Sequence, residues 1–375
     1  MADITLTVGG VDWTGWESLQ ASRSVDAMAG AFSLGLADRV QYGGASLPLA
    51  PGMECVLSSG ADTLVTGFID SVSQSLDSGR HGITVSGRDR SADIVDASAV
   101  HAPGSWKGAS LMDICSALCA PFGVPVTLEG DQGQPVTAFQ IQPGESVAEA
   151  VQRLLKQREL VAVPDGKGGL RLAGLAQETL SAVLQEGVNV LSASVTCDAS
   201  ERFSEYVVTG QKQGTDQNFG KACSVRATVT DEQITRYRPL VIRASQQGDA
   251  AYMRRRARWE MTTRRAEGTS VQVTVQGWRD GTGRLWEPGV LVPVSLPTLG
   301  ISQSLLIGEV TWTRDSGGTT TQLMLKDPAA WQPEPEEAQK AASSVASPSG
   351  TDWDLYVKQA EKAKAAGQKV QEAMA

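Results

Sequence analysis

Pro51-Gly52-Met53-Glu54-Cys55-Val56-Leu57 opens a stretch that runs to Asp89, and the same order of features returns from Pro288. In the first copy the apolar strand (Met53, Cys55, Leu57) is followed by Leu64-Val65-Thr66-Gly67-Phe68-Ile69. A turn at Asp77-Ser78-Gly79 and a strand, Ile83-Thr84-Val85-Ser86, complete it. In the second copy Pro288-Gly289 leads into Val290-Leu291-Val292. Leu305-Leu306-Ile307-Gly308-Glu309-Val310 follows, then Asp315-Ser316-Gly317 and Gln322-Leu323-Met324-Leu325 before Lys326-Asp327. Gly and Asp dominate turns in unrelated β modules. A whole ordered series recurring once in a chain instead indicates one β unit present twice.

Outward from the first copy, Ile4-Thr5-Leu6-Thr7-Val8 alternates as a half-buried strand does, and Gly9-Gly10 marks a hairpin. Trp13, Trp16, Phe32, Leu34 and Leu36 mark further β segments with one buried face. Gly87 ends the last strand, and Ser91 is placed to cap a short helix with Ile94 and Val95. Residues 101–186 change character. Ser110 with Asp113, and Ser146 with Glu149, form capping boxes ahead of two amphipathic helices. Leu111, Ile114, Cys115, Leu118 and Cys119 share one apolar face, so the two thiols are expected to pack in a core. Pro164 to Gly169 reads as a hairpin turn between Leu160–Val163 and Leu170–Leu172.

From 187 the β pattern returns with Val188–Val195 and Arg202–Val208, and 187–215 is expected to go back and complete the first unit. Asp249 to Glu267 reads as a helix with six arginines: Arg254, Arg255, Arg256, Arg258, Arg264 and Arg265. At 3.6 residues per turn Tyr252, Trp259 and Ala266 form its buried stripe, with Arg254, Arg258 and Arg265 on a face away from it. That face suits solvent, acidic partners, or carboxylates of a neighbouring subunit, which the rigid guanidinium fork favours. Beyond Trp331 the Pro333-Glu334-Pro335 and Ala346-Ser347-Pro348 stretches read as linker. Thr351 with Asp354 starts a last Ala- and Lys-rich helix that is marginal alone.

The chain has 375 residues, room for several cores, and a net charge of -9. That balance excludes a general nucleic-acid binder held by phosphate contacts. Met1-Ala2-Asp3 lacks the basic and apolar regions of a secretory signal. The longest uncharged apolar run, Ile114 to Leu128, is broken by Pro121 and Pro125, so stable membrane insertion is not expected. Five cysteines without Cys-x-x-Cys pairs read as reduced thiols, and no metal or cofactor is expected. No nucleophile elbow, P-loop, His-Glu-x-x-His or dinucleotide fingerprint occurs. The two histidines, His81 and His101, lie in loop-like sequence, so no catalytic residue is assigned. Paired carboxylates leave no local signature. A peptidoglycan hydrolase and a carbohydrate- or receptor-binding β module therefore stand as alternatives.

Several phrases resemble the baseplate hub proteins of Mu-like contractile-tailed phages. They are Val65-Thr66-Gly67-Phe68-Ile69-Asp70, the run Val85 to Asp96 with Arg88-Asp89-Arg90, Arg202-Phe203-Ser204-Glu205-Tyr206, Arg236-Tyr237-Arg238-Pro239-Leu240, and Gly277-Trp278 through Leu285-Trp286. The hub part of type VI secretion spike proteins is similar. The resemblance covers roughly residues 5–330. It implies a mainly β chain with an α+β insert: a first β-barrel over 1–100 completed by 187–215, a small α/β insert over 101–186, and a second β-barrel over 216–332 carrying helix 249–267. Residues 333–375 are linker and C-terminal helix. It further implies a non-enzymatic homotrimer in the virion tail baseplate, assembled in the bacterial host cytoplasm. This trimer adapts a sixfold tail tube to a threefold central spike. Its partners would be spike, tube, other baseplate proteins and the tape measure protein, with DNA only a passing polyanion. Arg88, Asp89, Arg90, Arg254, Arg258, Arg265 and Trp278 are the interface candidates.

Overall fold

The computed structural model describes residues 4–335 apart from 38–47, 77–80, 132, 157, 159, 177, 212–223, 245, 246 and 333. The first copy of the repeat comprises β1 (Ile4–Val8), β2 (Val11–Trp13), β3 (Ser18–Ser24), β4 (Ala31–Ala37), β5 (Glu54–Ser59), β6 (Asp62–Leu76) and β7 (His81–Asp89). Alternation does what the sequence demands: β1 and β3 bury every second residue. The order β2-β1-β5-β6-β7-β4-β3 is antiparallel throughout.

The insert holds α1 (Ala92–Asp96), β8 (Ser105–Trp106), α2 (Leu111–Cys119), β9 (Val126–Leu128), β10 (Phe139–Gln140), α3 (Val147–Lys156), β11 (Leu160–Pro164) and β12 (Leu170–Gly174). Both capping boxes form. Ser110 Oγ accepts from Asp113 N at 3.1 Å and Ser146 Oγ from Glu149 N at 3.2 Å. Ser91 makes no side-chain cap; it is fully buried. Cys115 and Cys119 lie in a separate core with Leu118, Leu154 and Leu172, where burial pushes both thiols up to about 12.

The chain continues through β13 (Leu184–Gln185) and β14 (Val190–Cys197) to β15 (Glu205–Gln211), β16 (Ser224–Thr230), β17 (Pro239–Arg243) and α4 (Ala250–Glu267). The second copy follows as β18 (Thr269–Gln276), β19 (Leu291–Leu296), β20 (Ile301–Asp315) and β21 (Gly318–Lys326). Two expectations change here. Strand β14 pairs with β18, so it completes the second copy and not the first. Strands β15 to β17 form their own three-stranded sheet and pack with α4 around Tyr206, Tyr252 and Met253. Strands of alternating type have no address in their own sequence; the partner decides it.

The repeat is real in three dimensions. Gly52 N donates to Ile69 O at 2.7 Å, and Gly289 N to Ile307 O at 2.8 Å. Ile69 N donates to Met53 O, and Ile307 N to Val290 O, both at 3.0 Å. Each long strand carries its bulge at the same place, between Ile69 and Ser71 in β6 and between Ile307 and Glu309 in β20. This corrects the sequence alignment of the long strands: Ile69 matches Ile307, so Gly67 and Gly308 are not counterparts. Aliphatic runs do not fix register; the bulge does. The first Asp-Ser-Gly turn, at 77–79, lies outside the described residues, as do most of 210–220 and the C-terminal helix.

Neither copy closes on itself among the described residues. Instead β20 pairs with β3, and both copies share one 13-stranded sheet with one continuous core. Trp312 sits at this seam opposite Ala21, and both are buried.

Candidate functional site

One face of the sheet carries the core, and the other faces outward. Its residues can be read across the strands from the pairing register. One row runs Ser71, Ser86, Ser33, Gln20, Thr313, Thr320, Gln276. The next runs Arg88, Ala31, Ser22, Thr311, Gln322, Thr274, Ser192. Apart from Arg88 and Ala31 these two rows are hydroxyl and amide side chains across eight strands, and Thr311 among them is buried. Arg88, Glu309 and Lys326 stand toward one end of the strands and Asp315 at the other. Such a surface offers hydrogen bonds to water and almost no fixed charge.

Among the described residues β2, β13, β14 and the second half of β6 each pair on one side only, and two of these edges are long. One is β14, which pairs on one side only, with β18. The other is the second half of β6. Residues 54–59 of β5 cover only its first half, and Ser71 to Leu76 pair on one side only, with β7. Leu76 is 84 % exposed and Leu191, in β14, 56 % exposed. Neither edge segment contains a charged residue or a proline. Monomeric proteins normally blunt exposed edges with such residues. These two edges were absent from the sequence-derived interface residues, although their uncharged alternating sequences were legible.

The sequence-derived candidates fall into four groups. Arg88 Nε donates to Asp70 at 2.7 Å and Arg88 Nη2 to Asp96 at 2.8 Å, while Arg90 reaches Gly123 O and Glu54 Oε1 at 3.5 Å. The Arg88 guanidinium holds the Asp96 carboxyl below its usual range. These arginines knit β6, β7 and the insert of one chain. Trp278 is 9 % exposed, belongs to the shared core and donates its indole N–H to Thr313 O at 3.1 Å. Arg254, Arg258 and Arg265 do share an exposed face of α4. The buried stripe of that helix is wider than expected. It takes in Met253, Ala257 and Thr263 besides Tyr252 and Ala266, while Trp259 is only half buried and donates to Gln332 O.

Asp89 lies fully buried beside Arg23, whose Nη2 donates to Leu64 O at 2.5 Å. Burial pushes the Asp89 carboxyl up to about 7, and the Arg23 charge opposes this. Because the folded value lies above the unfolded one, Asp89 favours the fold when protonated. That contribution is complete below about 4 and is lost as pH rises through about 7. Asp89→Asn is expected to raise the urea midpoint at pH 8 and leave it nearly unchanged at pH 4. Equal shifts at both values would contradict this account.

No cluster of three metal-ligating side chains occurs among the described residues. His101 stacks on Trp106 with ring centroids 4.8 Å apart. Among the described residues no helix is long and apolar enough to cross a membrane.

Family models match the chain in segments. Residues 3–89 match the Mu phage baseplate assembly protein GpP-like N-terminal model, and 91–174 the second domain of baseplate hub protein gp44-like. Residues 202–259 match the third domain of tail protein NMB1110-like, and 249–334 the fourth domain of Mu phage baseplate assembly protein GpP. These segments follow the four parts of the fold, with β14 left between two of them. The 43 kDa tail protein of prophage MuSo2 from Shewanella oneidensis is 31 % identical, with a TM-score of 0.78 over 89 % of this chain and all of that one. The E. coli c3393 protein, a component of the type VI secretion system, shares the fold alone: 9 % identity and a TM-score of 0.50, over 88 % of this chain and 79 % of that one. Baseplate hub protein gp44 of Escherichia phage Mu is 33 % identical over 332 residues, 86 % of this chain and 87 % of that protein. The chain belongs to the family of phage baseplate hub proteins that includes gp44 of phage Mu.

Proposed function

We propose that three copies of this chain form a ring at the centre of a contractile-tail baseplate, joining a sixfold tail tube to a threefold central spike. The observation that carries this reading is the duplicated β unit. Each chain holds two copies joined side by side through β3 and β20. Three chains then present six near-equivalent units to the tube while keeping true threefold symmetry for the spike. The two units need not be closed barrels for this; a shared sheet closed by three molecules serves the same geometry.

In the ring the outward hydroxyl and amide face lines the channel, since the opposite face is filled by the core. A polyanion sliding past it meets neither a dense positive field that would hold it nor a large apolar surface. DNA is then a transient passenger. The exposed Arg254, Arg258 and Arg265 of α4 present guanidinium forks to carboxylates of a neighbouring subunit or another baseplate protein. Spike, tube and tape measure proteins are the further partners, and assembly takes place in the host cytoplasm. The role is architectural, without catalytic turnover. Averaged electron-microscope views down the ring axis should show six lobes of two alternating kinds around an opening. A two-lobed or featureless particle would contradict the reading.

A further inference from the structure

A cavity of about 980 Å³ lies where four parts of the chain meet. Met28 lines it from the loop between β3 and β4, and Leu155 and Leu160 from the insert. Trp259 and Thr263 line it from α4, and Trp331 from the segment after β21. Met28 and Leu155 are buried, whereas both indoles are half buried. The space is large enough for several bulky side chains.

Two features of the lining ask for an occupant. Thr263 is 7 % exposed, and its hydroxyl has no hydrogen-bond partner among the described residues. A buried hydroxyl left unpaired is costly. Lys156, the last residue of α3, and Glu267, the last of α4, also line the cavity. Neither forms an ion pair among the described residues.

The chain itself supplies the occupant. Glu334 and Pro335 line the cavity, so residues 336–375 start from its rim. Trp353, Tyr356, Val357 and Ala360 fall at i, i+3, i+4 and i+7, one face of the helix read from Thr351 onward. Asp352 and Asp354 stand at its start, and Lys358, Lys362 and Lys364 follow. We propose that this face docks into the cavity of its own chain. Trp353 and Tyr356 lie against Trp259 and Trp331, the acidic start faces Lys156, and the lysines face Glu267. A buried indole N–H needs an acceptor, and the Thr263 hydroxyl provides one for Trp353. Packing then supplies the stability that the helix lacks alone. The 17 residues between Pro335 and Trp353 hold the helix near the cavity at an effective concentration on the order of millimolar, above that of a second copy in dilute solution. Docked there, the helix braces the insert against α4. The docking is independent of the ring reading, and a trimer or a monomer serves its test equally.

The full-length chain carrying Trp353→p-benzoylphenylalanine tests this. Near-ultraviolet light should join residue 353 to peptides containing Met28, Leu155, Trp259 or Trp331. The product should keep the single-chain mass of 39.6 kDa on a denaturing gel. Adding Lys156→Glu should lower the yield about threefold, the scale of one exposed ion pair. A second measurement does not depend on the photochemistry. In the full chain with Trp353→Ala and Tyr356→Ala, the amides of 160–163 and 259–266 should exchange about tenfold faster than in the parent, and those of β20 and β21 should not change. Adducts elsewhere in the fold, adducts that join two copies, or no adduct at all overturn the docking. Unchanged exchange in the double variant overturns it too.

Discussion

Replacing Trp312 with alanine lowers the free energy of unfolding by about 3–5 kcal/mol, the range for deleting a large buried aromatic. Trp312 is fully buried at the seam where β20 meets β3. Ala21 faces it across the strands, and the buried Arg23 guanidinium lies 5.2 Å from its ring. Two hydrogen-bonded strands hold the walls apart, so the vacated space collapses little. Its counterpart Gln74 offers an internal control. That residue is exposed on the open edge of β6, and Gln74→Ala should change stability by no more than about 0.5 kcal/mol. Urea titrations at one fixed protein concentration compare the two, because association adds to apparent stability. Equal effects of both substitutions would mean that the seam is not packed as described.

The second large effect is expected at Glu260, on the inner side of α4. Its carboxylate accepts Arg256 Nη1 at 2.5 Å and Arg264 Nε at 2.7 Å. Arg256 also donates through Nε to Glu334 at 2.5 Å and stacks on Trp259 with its guanidinium carbon 4.3 Å from the ring. The network thus ties α4 to the chain segment after β21. Burial alone pushes the Glu260 carboxyl up, yet the two guanidinium hydrogen bonds outweigh it and hold the carboxyl below its usual range. Glu260→Ala leaves two cations facing each other without their shared anion. The cost is about 3 kcal/mol, at the low end for a broken buried pair because Arg264 is partly exposed. The sign with pH follows from the lowered carboxyl. The stabilisation is present above the ordinary glutamate range near 4.5 and disappears as pH falls through the lower folded value. Hydrogen exchange of the α4 amides should accelerate in the variant at neutral pH, and the difference from the parent should shrink toward pH 3. An unchanged exchange rate at neutral pH would show that the network carries little.

Local chemistry was legible in the sequence wherever one residue fixes its own surroundings. The capping boxes at Ser110 and Ser146, the hairpin at 164–169 and the apolar faces of α2 and α3 all form as read. The Pro-Gly starts of the two β units were legible too, because Gly52 and Gly289 both need a left-handed backbone that glycine adopts freely. Long-range pairing was not. Nothing in Val190–Cys197 tells whether it returns to the first unit or joins the second, since an alternating strand fits either pleat. The buried arginines were hidden for a related reason. Helical periodicity sets Arg256 beside the Tyr252 stripe, where a charge is not expected, and only the carboxylates of Glu260 and Glu334 make its burial tolerable. The open edges of β6 and β14 could have been suspected from their lack of charge, but whether an edge is open depends on strands elsewhere in the chain.

The central claim is that the duplicated unit makes three molecules into one closed ring, and the most direct test is the mass of the full-length protein in solution. One chain weighs 39.6 kDa. Light scattering behind size exclusion, across a range of concentrations, should give a single species at about three times that mass, with no growth at the highest concentration because a ring with point-group symmetry is a closed assembly. A monomer at every concentration, or a mass that climbs without limit, contradicts the account.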